Sequence, residues 1–144
     1  MIRQGKMTEA RYSKLCEIIR ERDRVCWRSY EEHMHCGVPT PFDHVEVHHV
    51  IHRGNGGPDR EDNLMSLSYV QHRFDFHGDN GETRKRCDEA AKAYLQCEEV
   101  ARWREAHAEE LEAFYEEAEE AAYRRARRKN ECHSKWGPMP RRAV

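Results

Sequence analysis

Eight of the ten histidines in this 144-residue chain lie between His33 and His77. The densest run, Glu46 to Gly78, reads EVHHVIHRGNGGPDREDNLMSLSYVQHRFDFHG. Adjacent side chains on an extended strand point to opposite faces. Of His48 and His49, one imidazole can therefore ligate a metal while the other faces a substrate beside it. Asn63 follows after a long loop, and its amide can orient an imidazole by hydrogen bonding. His72 can return a second ring to the same spot from a following helix. A cation with a separately held neutral imidazole suits phosphodiester hydrolysis. The ion stabilises charge on the phosphoryl group and leaving oxygen, and the imidazole takes the proton of the attacking water.

Positioning these groups requires strand, loop, strand and short helix in succession, and the local patterns supply them. Val45 to Ile51 is rich in β-branched residues and reads as a strand. The stretch Arg53-Gly54-Asn55-Gly56-Gly57-Pro58-Asp59 reads as a loop. Leu64 to Ser68 reads as a second strand, and a helix is expected from Tyr69 to Phe76, stopped by His77-Gly78-Asp79-Asn80-Gly81. Upstream, Tyr12, Leu15, Ile18, Ile19 and Val25 recur at helical steps and predict a helix from Thr8 to Arg24. Cys26 to Pro41 reads as irregular, with Gly37, Pro39 and Pro41 as breakers.

From Glu82 to Lys129 the chain has no Gly or Pro and is dominated by Ala, Glu and Arg, which predicts one long helix or a helical hairpin. A narrow stripe runs from Ala93 and Cys97 through Val100, His107, Leu111 and Phe114 to Ala118 and Ala121, interrupted by Arg104. It suits packing against the domain or a protein partner. The fold class expected is α+β: a small ββα core with an N-terminal helix and a long C-terminal helical extension. The organisation is residues 1–81 as the core domain, 82–129 as the extension and 130–144 as a flexible basic tail.

Charged residues make up 36% of the chain, against about 25% in an ordinary domain, and hydrophobic residues only 38%. The core must be modest. No apolar run exceeds three residues, which excludes a transmembrane helix. The opening residues Arg3, Lys6 and Glu9 have no apolar stretch behind them, so the expectation is a cytoplasmic protein. Six cysteines in such a setting point to burial or metal ligation rather than disulfides. With a net charge of −2, DNA binding would rest on Arg53, Arg60 and Arg73, with help from the Arg124–Lys129 run, Arg141 and Arg142.

The central segment resembles the HNH endonucleases, whose site is a ββα-metal fold. The matching residues are the His48-His49 pair with Val50-Ile51, the Gly56-Gly57-Pro58-Asp59 loop, Asn63-Leu64, Leu67 and His72. The lead-in from Arg20 to Cys26, and Cys36-Gly37, are similar to the family's approach to its first two cysteines. The likeness spans roughly residues 15 to 80, and its strength lies in the ordered combination of motifs. The resemblance implies His48 and His72 as metal ligands, His49 as general base, and Asn63 as the group that holds His49 or the loop. It implies metal-dependent cleavage of DNA, as endonuclease or nickase, leaving 5′-phosphate and 3′-hydroxyl ends. Small proteins of this kind are often encoded by phages or mobile elements. Imidazole-rich sites suit Zn²⁺, Ni²⁺ or Mn²⁺ as well as Mg²⁺. The alternative is a non-catalytic DNA- or protein-binding module on a degenerate ββα scaffold.

Three departures from the family pattern stand out. Ser68 and Gln71 occupy positions where many members carry zinc-binding cysteines. Nine residues separate Cys26 from Cys36 instead of two, so no structural zinc is expected, although Cys26, Cys36 and His33 or His35 could form a rearranged set. His77 lies five residues beyond His72, about 140° around an α-helix, whereas relatives place a histidine four beyond. Asp75 is on the right face, but His77 ranks ahead of it if the helix tightens or ends before Gly78. His44 and His52 read as exposed loop residues, with His52 within reach of a phosphate. His107 and His133 read as surface or seam residues.

Overall fold

The computed structural model describes residues 7–34 and 45–135, with side chains in the last helix as far as Glu131. His35, Cys36 and His44, and the tail with Arg141 and Arg142, lie outside the described residues, as do the side chains of Cys132 and His133.

Helix α1 (Glu9–Val25) starts at Thr8, whose hydroxyl accepts the Arg11 N–H at 3.4 Å. It buries Leu15 and Ile19 completely, together with the charged pair Arg22 and Asp23. A second helix, α2 (Trp27–Met34), follows where the sequence suggested irregular chain. The breakers Gly37, Pro39 and Pro41 all lie beyond it, and burial of Tyr30 fixes its inward face.

Strand β1 (Val45–His49) pairs antiparallel with β2 (Leu64–Ser68), Val45 opposite Ser68 and His49 opposite Leu64. β2 has the predicted bounds, while β1 ends two residues before Ile51, where the chain turns into the loop. A π-helical turn (Gln71–Phe76) comes next. Ser68 and Gln71 cap its entry reciprocally: the Gln71 N–H donates to Ser68 Oγ at 3.2 Å and the Ser68 N–H to Gln71 Oε1 at 3.3 Å. The two positions that depart from the family's cysteines thus have a local structural use.

The extension is three helices, not one or two: α3 (Gly81–Leu95), α4 (Glu98–Ala106) and α5 (Ala108–Lys135). Asn80 caps α3 by accepting the N–H groups of Glu82 and Thr83, each at 3.1 Å. The break at Gln96–Cys97 has a packing reason. Tyr94 and Trp103, nine residues apart, would sit about 180° from each other on a straight helix, yet both are buried. Bending the chain turns both inward, and this wins over a helix propensity that no Gly or Pro opposes. Ala93, placed on the stripe from sequence, is exposed, while Val100, Leu111, Phe114 and Ala118 are buried as the stripe requires. Arg104, which interrupts the stripe, places Nε 3.5 Å from Oε1 of the buried Glu61. α5 runs on to Lys135, so residues 130–135 are helix where a tail was expected.

The architecture is α+β, a small ββα core wrapped by helices. Its elements are tied together by Arg22 and Asp23, both fully buried. Arg22 donates to the Glu61 and Leu64 carbonyls at 2.6 Å each and to Asp23 Oδ1 at 3.0 Å. Asp23 also accepts the Ser66 N–H at 2.7 Å and the Tyr94 hydroxyl at 2.5 Å. The Tyr30 hydroxyl donates to the Ser66 carbonyl at 2.5 Å. α1, α2, α3 and β2 therefore meet in one polar network. No helix among the described residues is long and apolar enough to cross a membrane.

Candidate active site

Strand alternation sends His48 and His49 to different surroundings. His48, 2% exposed, faces the π-helical turn, and its ring packs against Phe76 at 4.9 Å between centroids. The rings of His72 and His77 lie 5.1 and 5.2 Å from that of His48. One ring nitrogen from each of the three falls within 4.8 Å of the others. His48 Nε2 is buried without a hydrogen-bond partner, and His72 Nε2 lies 3.1 Å from His77 Nε2. Three imidazole nitrogens converging, one of them buried and unsatisfied, are a donor set that fits a divalent transition metal.

His77 reaches this cluster by a route opposite to tightening. Its N–H donates to the His72 carbonyl at 3.1 Å, a five-residue step. The π-helical turn thus widens until residues five apart lie one above the other, removing the 140° mismatch of an α-helix. Gly78 allows this ending, since a Cβ there would lie 1.9 Å from the Phe74 carbonyl oxygen. Asp75 is not part of the converging trio. His52, exposed as expected, brings its ring to 5.2 Å from His77 and 5.9 Å from His48, at the rim of the cluster.

Glu46, two residues before His48 on the same strand face, was not singled out in the sequence. Its Oε2 bonds His72 Nδ1, and its Oε1 lies 3.6 Å from Arg73 Nη2. The hydrogen bond from His72 holds the Glu46 carboxyl below its ordinary range. With Nδ1 engaged, His72 turns Nε2 toward His48 and His77.

His49 has other company. Its Nε2 donates to Asp59 Oδ1 at 2.7 Å, and its ring stacks on Tyr12 at 5.9 Å. Arg53 grips the same carboxylate with Nε at 3.1 Å and Nη2 at 3.2 Å, and lies over the Tyr12 ring at 4.6 Å. A carboxylate accepting at Nε2 leaves Nδ1 as the nitrogen with a lone pair to offer. Asp59 was visible only as a loop residue, although its place ten residues beyond His49 across a glycine-rich turn was a usable signal.

The Asn63 side chain makes its hydrogen bonds to the loop backbone and not to the His49 ring. Its Oδ1 accepts the Ile51 N–H at 2.8 Å, and its Nδ2 donates to the carbonyls of Ile51 at 3.0 Å and Pro58 at 3.1 Å. It pins the loop, the second of the two roles the resemblance offered. Gly57 completes the turn, because a Cβ there would fall 1.8 Å from the Ile51 carbonyl oxygen. The three arginines do not form one patch. Arg73 lies over Tyr69 at 4.8 Å beside the histidines, whereas Arg60 lies over Tyr115 of α5 at 4.3 Å. Cys26 is buried in the core with its thiol toward the Glu99 carbonyl at 3.9 Å, and burial pushes it up to about 11. His33 Nδ1 bonds the Ser29 carbonyl at 2.7 Å.

Burial, followed by repulsion from His72, His77, His52 and His49, holds His48 down to about 3, from an ordinary 6.5. The unfolded chain protonates this residue below about pH 6.5, whereas the folded chain resists until about pH 3. Stability is fully present above that window and falls as pH drops through it, by up to about 1.4 kcal/mol per pH unit from this group. Urea unfolding of metal-free protein at stepped pH should show the slope, and His48→Gln should remove this part of it.

No curated protein and no solved structure matches the chain. Residues 24–69 match the family model described as HNH endonuclease. The match holds both strands, the histidine pair and Asn63 but ends before His72 and His77, which join the site through the fold alone. The segment that carries the two strands and the paired histidines is thus similar to the HNH endonuclease family over about a third of the chain.

Proposed function

We propose that the protein is a metal-dependent DNA endonuclease or nickase that leaves 5′-phosphate and 3′-hydroxyl ends. The observation that carries this reading is the convergence of His48, His72 and His77, with His48 Nε2 buried and unpartnered. These three residues would hold one divalent ion, and Glu46 would orient His72 from behind. The ion supplies positive charge against the phosphoryl and leaving oxygens. His49 takes the proton of the attacking water at Nδ1, while Asp59 holds the ring and steadies the imidazolium once the proton arrives. Asn63 keeps the loop that carries Asp59 in place. Arg53 and Arg73 offer charge to the DNA backbone on either side of the histidines. Arg60, turned to α5, contributes less to binding than its place in the loop suggested.

Purified protein stripped of metal and resupplied with Mg²⁺, Mn²⁺, Ni²⁺ or Zn²⁺ should convert supercoiled plasmid to open-circular or linear DNA with at least one ion. A stable DNA complex with no cleavage under any ion would instead mark a non-catalytic module. Calorimetry should give one site per chain, weakened in His48→Ala and His72→Ala. Glu46→Gln should weaken it by about 10–100-fold while leaving the far-ultraviolet spectrum unchanged. Unaltered affinity in Glu46→Gln would remove that residue from the metal site.

A further inference from the structure

The segment from Tyr69 to Phe74 carries side chains that the nuclease reading leaves unused. Tyr69, Val70 and Phe74 are 53%, 61% and 67% exposed, three of the six large apolar side chains that stand open among the described residues. Neither ring packs on another aromatic ring among those residues. Tyr69 is held on one face by the Arg73 guanidinium at 4.8 Å. Arg73 Nη2 lies 3.6 Å from Glu46 Oε1, and Glu46 Oε2 bonds His72 Nδ1. A chain of contacts thus runs from the Tyr69 ring to a histidine of the converging trio. The backbone beneath is fixed, because Phe76 is buried and Gly78 closes so tightly on the Phe74 carbonyl that a Cβ would not fit. The rings are therefore displayed at a set place beside the histidines, and little further ordering of the chain is needed for them to bind.

We propose that Tyr69 and Phe74 form a stacking platform for unpaired bases, so that the substrate is DNA that is single-stranded or locally opened next to the scissile phosphate. The inference rests on the nuclease reading and names the form of DNA that the site takes. A base inside a duplex has both faces covered by its neighbours, whereas an unpaired base offers a free face to a ring. Charge points the same way. Tight duplex binding draws on about 6–10 phosphate contacts. Of the three arginines near the site, Arg53 is held by both oxygens of Asp59, Arg60 lies over Tyr115, and Arg73 alone stands beside the histidines. A surface this poor in free cations gains more from stacking, which accepts any base. Arg73, over the Tyr69 ring, supplies a cation for the phosphate joined to a stacked base. A protein partner fits less well, because three apolar side chains on one turn fall far short of the roughly 1,000 Å² that a stable protein interface covers.

Fluorescence anisotropy in the presence of chelator reads binding separately from cleavage. A labelled DNA strand of about 16 nucleotides, or a duplex of that length with a mismatched bubble, should bind the wild type at least about tenfold more tightly than the matched duplex. Tyr69→Ala and Phe74→Ala, both at exposed positions, should each weaken strand binding by about 5–150-fold, the worth of one stacked base, and leave the matched duplex within about twofold. Phe74→Trp should keep the affinity, whereas Phe74→Leu, apolar but without a ring face, should lose it. With metal restored, supercoiled plasmid should be cut faster than the same plasmid linearised, because negative supercoiling favours local opening. Equal affinity for strand and matched duplex, no affinity for either, or unchanged strand binding in both alanine variants would overturn the proposal. So would a wild-type dimer in light scattering that Phe74→Ala breaks, since that gives the face to a second copy. Ring-dependent strand binding without cleavage under any ion would remove the nuclease reading and uphold the platform. Cleavage of matched duplex untouched by both alanine variants would do the reverse.

Discussion

His49→Ala should lower plasmid nicking by about 10²–10⁴-fold, the usual contribution of a positioned general base, while metal affinity stays close to that of the wild type. The separation of effects follows from β1. His48 faces the π-helical turn and converges with His72 and His77, whereas His49 is engaged by Asp59 and Tyr12. Truncating His49 therefore removes a proton acceptor without touching the three converging nitrogens. Asp59→Asn tests the same arrangement from behind. An amide can present N–H to Nε2 and favour the tautomer that blocks Nδ1, so the rate should fall nearly as far although the shape is conserved. Initial rates of supercoiled-plasmid conversion, with calorimetric metal titration in parallel, give both quantities. Full cutting by His49→Ala would assign the base elsewhere.

Asp23→Ala should cost about 3–5 kcal/mol of folding stability, because it strands the guanidinium of Arg22 in the interior without its counter-charge. Both residues are fully buried, and Asp23 accepts from the Arg22 side chain, the Ser66 N–H and the Tyr94 hydroxyl. Against a typical 5–15 kcal/mol for a domain, that loss leaves a large unfolded fraction. Tyr94→Phe removes one hydroxyl from the network and should cost less, about 1–3 kcal/mol. Urea denaturation followed by tryptophan fluorescence measures both. A loss under about 1 kcal/mol in Asp23→Ala, below the range for a broken buried pair, would mean that Arg22 finds water or another partner.

The charged lead-in around Arg22 and Asp23 shows why part of the fold was not legible in the sequence. The segment Arg20 to Arg24 reads as solvated helix, since such residues are almost never buried unless paired. The partner that buries Asp23 is Tyr94, 71 positions away. Tyr94 itself was missed because it falls off the stripe that a straight helix would present. The bends at Gln96–Cys97 and His107 carry no Gly or Pro, so only the burial of Tyr94, Trp103 and Leu111 reveals them. α2 lies directly before the breakers Gly37, Pro39 and Pro41, and it is the burial of Tyr30 that marks it as a helix.

The order of helix, strand, loop and strand, the bounds of β2 and the pairing of His48 with His49 were all determined locally. They follow from periodicity, β-branching and glycine placement, which act over a few residues. Whether His77 or Asp75 stands with His48 and His72 was decided by the width of one helical turn, because a change from four- to five-residue hydrogen bonding rotates every later side chain. Glu46 behind His72, Asp59 behind His49 and Asn63 on the loop instead of the imidazole were likewise settled in three dimensions. Hydrogen bonds between residues ten to twenty-six positions apart depend on how the strand pair and loop close on each other, and no local pattern encodes that closure.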